Sequence, residues 1–256
     1  MKKMLLALLI LLTACGAPTI NEFVDEKGVP MVLVSAGEFT MGSNDENDDA
    51  KPVHTVYLDA FYIDKYEIIN ALYKACADSG VCQPLRSDSV TRPNYYGNPQ
   101  FDNYPVIFVD WNMAMAYCEW RGARLPTEAE WEKAARGTDG RIFPWGEGID
   151  KTFANYNDYV GDTTAVGSYE IGQSQYGVYD MAGNVWEWVA DWYSETYYQN
   201  SPLTDPLGPD SGEYHVVRGG SWNYVVDVIR SAHRSKGDGT IAQGGLGFRC
   251  AKDAIP

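Results

Sequence analysis

Residues Asp110 to Glu132 read DWNMAMAYCEWRGARLPTEAEWE, and this stretch decides how the chain folds. Asp110 stands directly before an apolar-rich run, where a carboxylate can accept an orphan N–H of a first helical turn. A helix is predicted over Trp111–Trp120, with Met113, Ala116, Tyr117 and Trp120 recurring on one face and Gly122 as its terminator. Thr127-Glu128-Ala129-Glu130 then spells a capping box, in which Thr127 and Glu130 each satisfy a backbone N–H. It opens a second helix, predicted over Glu128–Arg136 and stopped by Gly137.

Working outward, a further helix is predicted over Asn70–Ala77, with Asn70 as its cap and Gly80 just past its end. Met31–Val34 and Phe39–Gly42 read as short strands around the turn Ala36-Gly37. Val53–Ile63 is rich in β-branched and aromatic residues and reads as one strand; Val216–Gly220 and Leu246–Ala251 read as the last two. From Gly137 to Tyr214, Gly, Pro, Asn, Asp and Tyr dominate. A loop of that length without internal structure does not fit a compact domain, so side-chain hydrogen bonds, disulfides or metal must hold it. No repeat is visible, and no linker follows Pro30. The expectation is one α+β domain over residues 30–254.

The N-terminus reads differently. Lys2 and Lys3 form a basic head, and Met4 to Leu12 is an unbroken apolar run. Nine residues cannot cross ~30 Å of hydrocarbon as a helix, but they suit the apolar region of a secretory signal. Leu12-Thr13-Ala14-Cys15 follows. Small residues before a cysteine resemble the lipobox of bacterial lipoproteins. The resemblance implies a signal peptide over 1–14, acyl chains of the palmitate type on Cys15, and residues 15–29 as lipidated N-terminus and linker. Two or more acyl chains anchor stably where one does not. Export to an outer membrane or cell surface is the expected location, with the membrane as a partner through the lipid.

Thirty-five acidic against 20 basic residues give a net charge of −15, more negative still once Lys2 and Lys3 leave with the signal. Nucleic-acid binding needs clustered Lys and Arg for phosphate contacts, so that class is excluded. Apart from Cys15 the cysteines are Cys76, Cys82, Cys118 and Cys250. An oxidising compartment and an even count favour two disulfides among three possible connectivities. The turn-forming residues between Cys76 and Cys82 favour a local bridge, which would leave Cys118 with Cys250.

Several stretches together resemble the formylglycine-generating enzyme (sulfatase-modifying factor) family. They are MVLVSAGEFTMGS (Met31–Ser43), Pro52 to Val56, YEIINALY (Tyr66–Tyr73), Pro105 to Glu132, YGVYDMAGNVWEW (Tyr176–Trp188), VRGGSW (Val217–Trp222) and GFRCA (Gly247–Ala251), in the family's order. The resemblance implies a C-type-lectin-like fold with much irregular backbone, and a structural disulfide between Cys118 and Cys250. It also implies an activity: oxidation of a cysteine in an exported protein such as a sulfatase to formylglycine, using oxygen and Cu(I) held by two thiolates. Soft thiolate ligands suit Cu(I). The interval where that pair would stand, Trp222 to Arg234, reads WNYVVDVIRSAHR and holds no cysteine; Tyr224 and Ile229 or its neighbours occupy the expected places. No catalytic residue is carried over, and copper is not expected.

Calcium is. The resemblance implies a site made by the carboxylates of Asp180 and Glu187 and the carbonyls of Gly183 and Val185, as suits a cation that prefers oxygen. A second site would use Asn155 and the carbonyl of Tyr156, with Asp158 or Asp162. Pairing of Asp180 or Glu187 with Arg218 or Arg249 is the competing assignment. His54, His215 and His233 stand far apart and form no i,i+4 metal pair. Trp131, Trp186, Trp188, Trp192 and Trp222 are expected in the core, while Tyr193, Tyr197 and Tyr198 could line a groove. A groove of Trp222, Tyr224, Arg230 and Arg234 is the expected surface for an exported protein or peptide. The functional expectation is a membrane-anchored binding or scaffold domain, with formylglycine-generating oxidation as the alternative. A different oxidative chemistry drawing on Asp227, Arg230 or Arg234 has no specifying spacing.

Overall fold

The computed structural model describes residues 21–45 and 47–254. Cys15 and the expected signal lie outside them. Three sheets and three helices form the frame. Strands β1 (Glu22–Val24), β2 (Pro30–Val34), β5 (Phe61–Asp64) and β10 (Ala251–Asp253) make an antiparallel sheet in the order β1-β2-β5-β10. Strands β3 (Gly37–Met41) and β4 (His54–Leu58) pair as a ribbon. The third sheet has the order β8-β7-β6-β9, from β8 (Ser235–Gly237), β7 (His215–Arg218), β6 (Trp186–Trp192) and β9 (Leu246–Phe248), with β9 parallel to β6.

The helices follow their local signals. Helix α2 spans Trp111–Trp120, and Asp110 Oδ1 accepts the Met113 N–H. Helix α3 spans Glu128–Arg136 with both halves of the capping box formed, and Gly137 at φ +71° ends it. Helix α1 spans Asn70–Asp78. Asn70 is its first residue rather than its cap: the side chain donates to the Phe101 carbonyl instead. The fully buried residues of α2 are Ala114, Tyr117 and Cys118, the last bonded to Cys250, while Met113 and Trp120 of the expected stripe pack half-buried against the same core.

Three strand expectations change. Val53–Ile63 is two strands in different sheets, β4 and β5. The chain turns at Asp59-Ala60, where the Asp205 carboxylate accepts the Asp59 N–H at 2.9 Å. Leu246–Ala251 likewise divides into β9 and the start of β10, so Arg249 and Cys250 carry the chain between sheets. Strand β1 lies inside the expected linker and pairs with β2, so the folded unit begins before residue 30. Strand β6, central to its sheet, was hidden in the aromatic WEWVADW run because it is buried on both faces and shows no alternation.

Two disulfides form, Cys76–Cys82 and Cys118–Cys250. The second ties α2 to the β9–β10 crossover. One core cluster packs α3 with its Trp131 against the β3–β4 ribbon, and another packs α1 and α2 against β6 and β9 with Trp188 and Phe248.

Candidate functional site

The loop after Gly219-Gly220 is where the expected site would lie. Tyr224 stands at its mouth, 41% exposed. Ile229 is fully buried, its methyl packed where a Cβ on Gly220 would fall. Between them runs the short 3-10 turn Val226–Ile229. A cleft of about 180 Å³ opens here, lined by Trp186, Tyr224, Val228, His233, Lys236 and Gln243 among others. The Tyr224 ring meets Trp186 edge-on at 5.4 Å, and His233 lies 6.2 Å from the same indole. A wider polar cleft with Asp45, Asn47, Asp227 and Arg230 shares Val228 and His233 with it.

On the neighbouring loops Tyr159, Val160 and Val225 are all about half exposed. Two backbone bonds, Asn157 N–H to the Tyr224 carbonyl at 2.8 Å and Asp158 N–H to the Trp222 carbonyl at 2.9 Å, hold these loops side by side. Exposed apolar residues displayed together mark interaction surfaces more often than isolated ones do.

The expected groove residues part company. Tyr224 and Arg230 line the clefts, but Trp222 is buried and Arg234 points inward. Arg234 pairs with both oxygens of Glu128 at 2.7 and 2.8 Å and donates to the Asp49 carbonyl. Arg218 bridges Glu128 and Glu132, and Arg136 also reaches Glu132. Burial works against charge on Glu132, yet Arg218 and Arg136 hold its carboxyl below the ordinary range. Tyr193 donates to Asp49, and the Arg234 guanidinium lies over the rings of Tyr193 and Tyr198. Both tyrosines, with Tyr197, pack against the core and do not line the cleft.

No chemistry for a copper-held oxidation is assembled here. Tyr224 and Ile229 offer a phenol and a buried alkyl chain, and Cys76, Cys82, Cys118 and Cys250 are all spent in disulfides. The residues present do not fit Cu(I).

The oxygen-rich loop is a second centre. Asp180 and Asn184 both adopt positive φ, +57° and +62°, making a tight turn around Gly183. Asp180 Oδ2 accepts the Gly167 N–H at 2.7 Å, and its other oxygen accepts no hydrogen bond among the described residues. The carbonyls of Gly183 and Val185 accept none from the described loops and side chains. Glu187 differs: both its oxygens accept from Arg249, at 2.6 and 2.7 Å, and Oε2 also accepts the Trp131 indole N–H at 2.8 Å. Arg218 does not take part. Of the four expected ligands, Asp180, Gly183 and Val185 thus keep an oxygen open, as a calcium site requires, while Glu187 is engaged by Arg249 and Trp131. At the second expected site, Asn155 Oδ1 is buried without a partner, which suits a cation. Asp162 is held by Ser89, Thr91 and Arg92.

Glu67 completes the acidic cluster and was not singled out from the sequence, although it stands in YEIINALY. It accepts from Asn184 Nδ2 and the Val185 N–H. Burial, with Asp180 and Glu187 nearby, pushes its carboxyl well above the usual range. Burial likewise pushes Asp180 up to about 6. Three buried carboxylates thus share one guanidinium, Arg249.

Residues 17–254 match the family described as the sulfatase-modifying factor enzyme 1-like domain. The formylglycine-generating enzyme of Streptomyces coelicolor is 35% identical over 284 residues, covering 87% of this chain and 89% of that one. The serine/threonine-protein kinase Pkn1 of Chlamydia trachomatis is 40% identical over 237 residues, 87% of this chain. The chain spans about two fifths of that relative's length (38%). Among solved structures, PvdO from Pseudomonas aeruginosa superimposes with a TM-score of 0.77 at 29% identity, covering 91% of this chain and 98% of that one. Treponema denticola variable protein 1 gives 0.75 at 26%, covering 93% and 100%.

A pH test follows from Asp191, whose carboxyl burial, aided by Glu128, pushes up to about 8 from 3.8. Between those values the folded chain keeps a proton that the unfolded chain has lost. The stability contributed by this group is present below about pH 4 and lost as pH rises toward 8. Asp191→Asn still offers an oxygen to the Glu128 N–H that Asp191 accepts at 2.7 Å. The variant should therefore lose less Tm than wild type between pH 4 and 8 in thermal melts; parallel profiles would contradict the assignment.

Proposed function

The chain belongs to the sulfatase-modifying factor enzyme 1-like family, and from that premise we propose that it is a non-catalytic binding domain, anchored to a membrane through Cys15, whose cleft beside Trp186 and Tyr224 takes a segment of an exported protein. The observation that carries this reading is a loop, Trp222 to Arg234, without a cysteine, with the four cysteines of the described residues all in disulfides. Trp186 and Tyr224 in the cleft lining support it: aromatic anchors at a groove are what protein recognition uses. Fold and family alone do not fix function, so the argument rests on the side chains at the cleft.

Purified protein given Cu(I), oxygen and a Cys-x-Pro-x-Arg peptide is expected to leave the peptide thiol unchanged by mass spectrometry. Accumulation of the aldehyde product would return the chain to the oxidase class.

Anchoring rests on the sequence before the folded domain. Among the described residues no helix is long and apolar enough to cross a membrane. The Cys15→Ser variant should shift from the membrane fraction to the soluble fraction on ultracentrifugation, while retention in the membrane would show that something other than a lipid on Cys15 holds it.

Calcium belongs to the same proposal. Asp180 with the carbonyls of Gly183 and Val185 would hold one ion, and Asn155 with Tyr156 a second. When bound, the ion would supply positive charge to a loop where three buried carboxylates meet one arginine. At 100 times its Kd a single ion stabilises by about 2.7 kcal/mol, which corresponds to a Tm rise of roughly 5–10 °C at this size. Calorimetry with calcium, magnesium or chelator should show that rise for calcium and a smaller one for Asp180→Asn. An equal response from both proteins would remove Asp180 from the site.

A further inference from the structure

A larger groove, sharing no residue with the clefts above, lies between the β4–β5 turn, the start of α3 and the loop 205–207. Its volume is about 570 Å³, within the range of sites that enclose small ligands or several side chains. Its floor is apolar: Leu58, Phe61 and Leu125 are buried beneath it, and the half-buried Ala60, Met115 and Ala190 face it. Its wall includes Leu207, a leucine 71% exposed. Backbone pairing holds this wall in place: Tyr57 donates to the Leu203 carbonyl at 2.7 Å, and the Asp205 N–H donates to the Tyr57 carbonyl at 2.9 Å. Leu203 is also 71% exposed. Two leucines are thus presented to solvent on a fixed support.

The charge around this apolar floor has one sign. Asp59, Glu130, Asp205 and Asp253 line the groove, against a single cation, Arg124. Arg124 is already neutralised, bidentate with Glu130 at 2.6 and 2.7 Å and bonded to Asp253 at 2.5 Å. Four carboxylates against one guanidinium leave the groove a net −3. A bare metal ion would meet carboxylates already engaged: Asp205 accepts the Asp59 N–H, and Glu130 and Asp253 are held by Arg124. A second copy of this chain would bring a net charge of −15, which opposes it.

We infer that this groove docks a segment of a partner protein in which lysine or arginine alternates with leucine-like side chains. The apolar side chains and the stems of the cations lie on Ala60, Met115 and Leu207, and the charged heads reach the exposed carboxylates that Arg124 leaves without a cation, Asp59 and Asp205. The surface is independent of the family cleft, so the domain would hold two partners, or two parts of one.

A fluorescein-labelled peptide, acetyl-Leu-Lys-Leu-Arg-Leu-Lys-Leu-amide, is the probe, followed by anisotropy with the whole chain. Binding should weaken at least fivefold in D59N/D205N/D253N and in Leu207→Ser, with circular dichroism unchanged. It should hold within twofold in E147Q/D150N/E170Q, which removes three exposed charges elsewhere and so reads non-specific attraction. Raising salt from 50 to 300 mM should weaken it, and the same peptide with glutamate for each cation should not bind. Equal loss in both triple variants, indifference to Leu207→Ser, binding of the glutamate peptide or no binding of the cationic one would each overturn the proposal. So would self-association of the wild type by light scattering that Leu207→Ser abolishes.

Discussion

Arg249 and Glu187 meet as a bidentate ion pair with neither side chain exposed, and the rest of the structure is arranged around it. Glu187 sits on β6, takes the Trp131 indole N–H from α3, and so fixes that helix to the sheet. Arg249 sits at the crossover from β9 to β10 and donates to the carbonyls of Asp64 and Tyr179. The ion pair therefore joins two sheets and the irregular loop through Arg249, and helix α3 through Glu187. Removing one partner of such a pair strands a charge in low dielectric at about 3–5 kcal/mol. Its geometry also commits Glu187, so any cation at the 180–187 turn must rely on Asp180 and backbone carbonyls.

A second buried network, Glu128, Glu132, Arg136, Arg218 and Arg234, does for α3 and the 43–50 loop what hydrophobic packing alone cannot. Glu132 Oε1 accepts the Gly42 N–H and Arg136 donates to the Gly42 carbonyl. Long side chains reaching backbone groups are the means by which a chain with so little regular structure satisfies its buried polar atoms. They also explain why an arginine expected at the groove lies inside.

Local signals were legible and distant ones were not. Asp110, Thr127, Glu130 and Gly137 act within one helical turn, and α2 and α3 stand where those residues put them. The division of Val53–Ile63 depends on Asp205, far away in sequence, and periodicity carries no trace of it. Strand β6 is covered on both faces, so its apolar and aromatic run shows no alternation. At the site, the absence of cysteine from Trp222 to Arg234 was readable directly. The participation of Glu67 was not, because its partners Asn184 and Val185 come from over a hundred residues later.

The family match extends over residues 17–254, and the loop after Gly219-Gly220 holds no cysteine. The account turns on whether that loop can hold a soft metal. Cu(I) affinity, measured by competition with a chromophoric chelator and paired with X-ray absorption, addresses it directly for the wild type and for Tyr224→Cys/Ile229→Cys. The account expects the wild type to bind no Cu(I) at this loop and the double variant to gain an ion coordinated by two sulfurs. Two-sulfur coordination of Cu(I) in the wild type would contradict it.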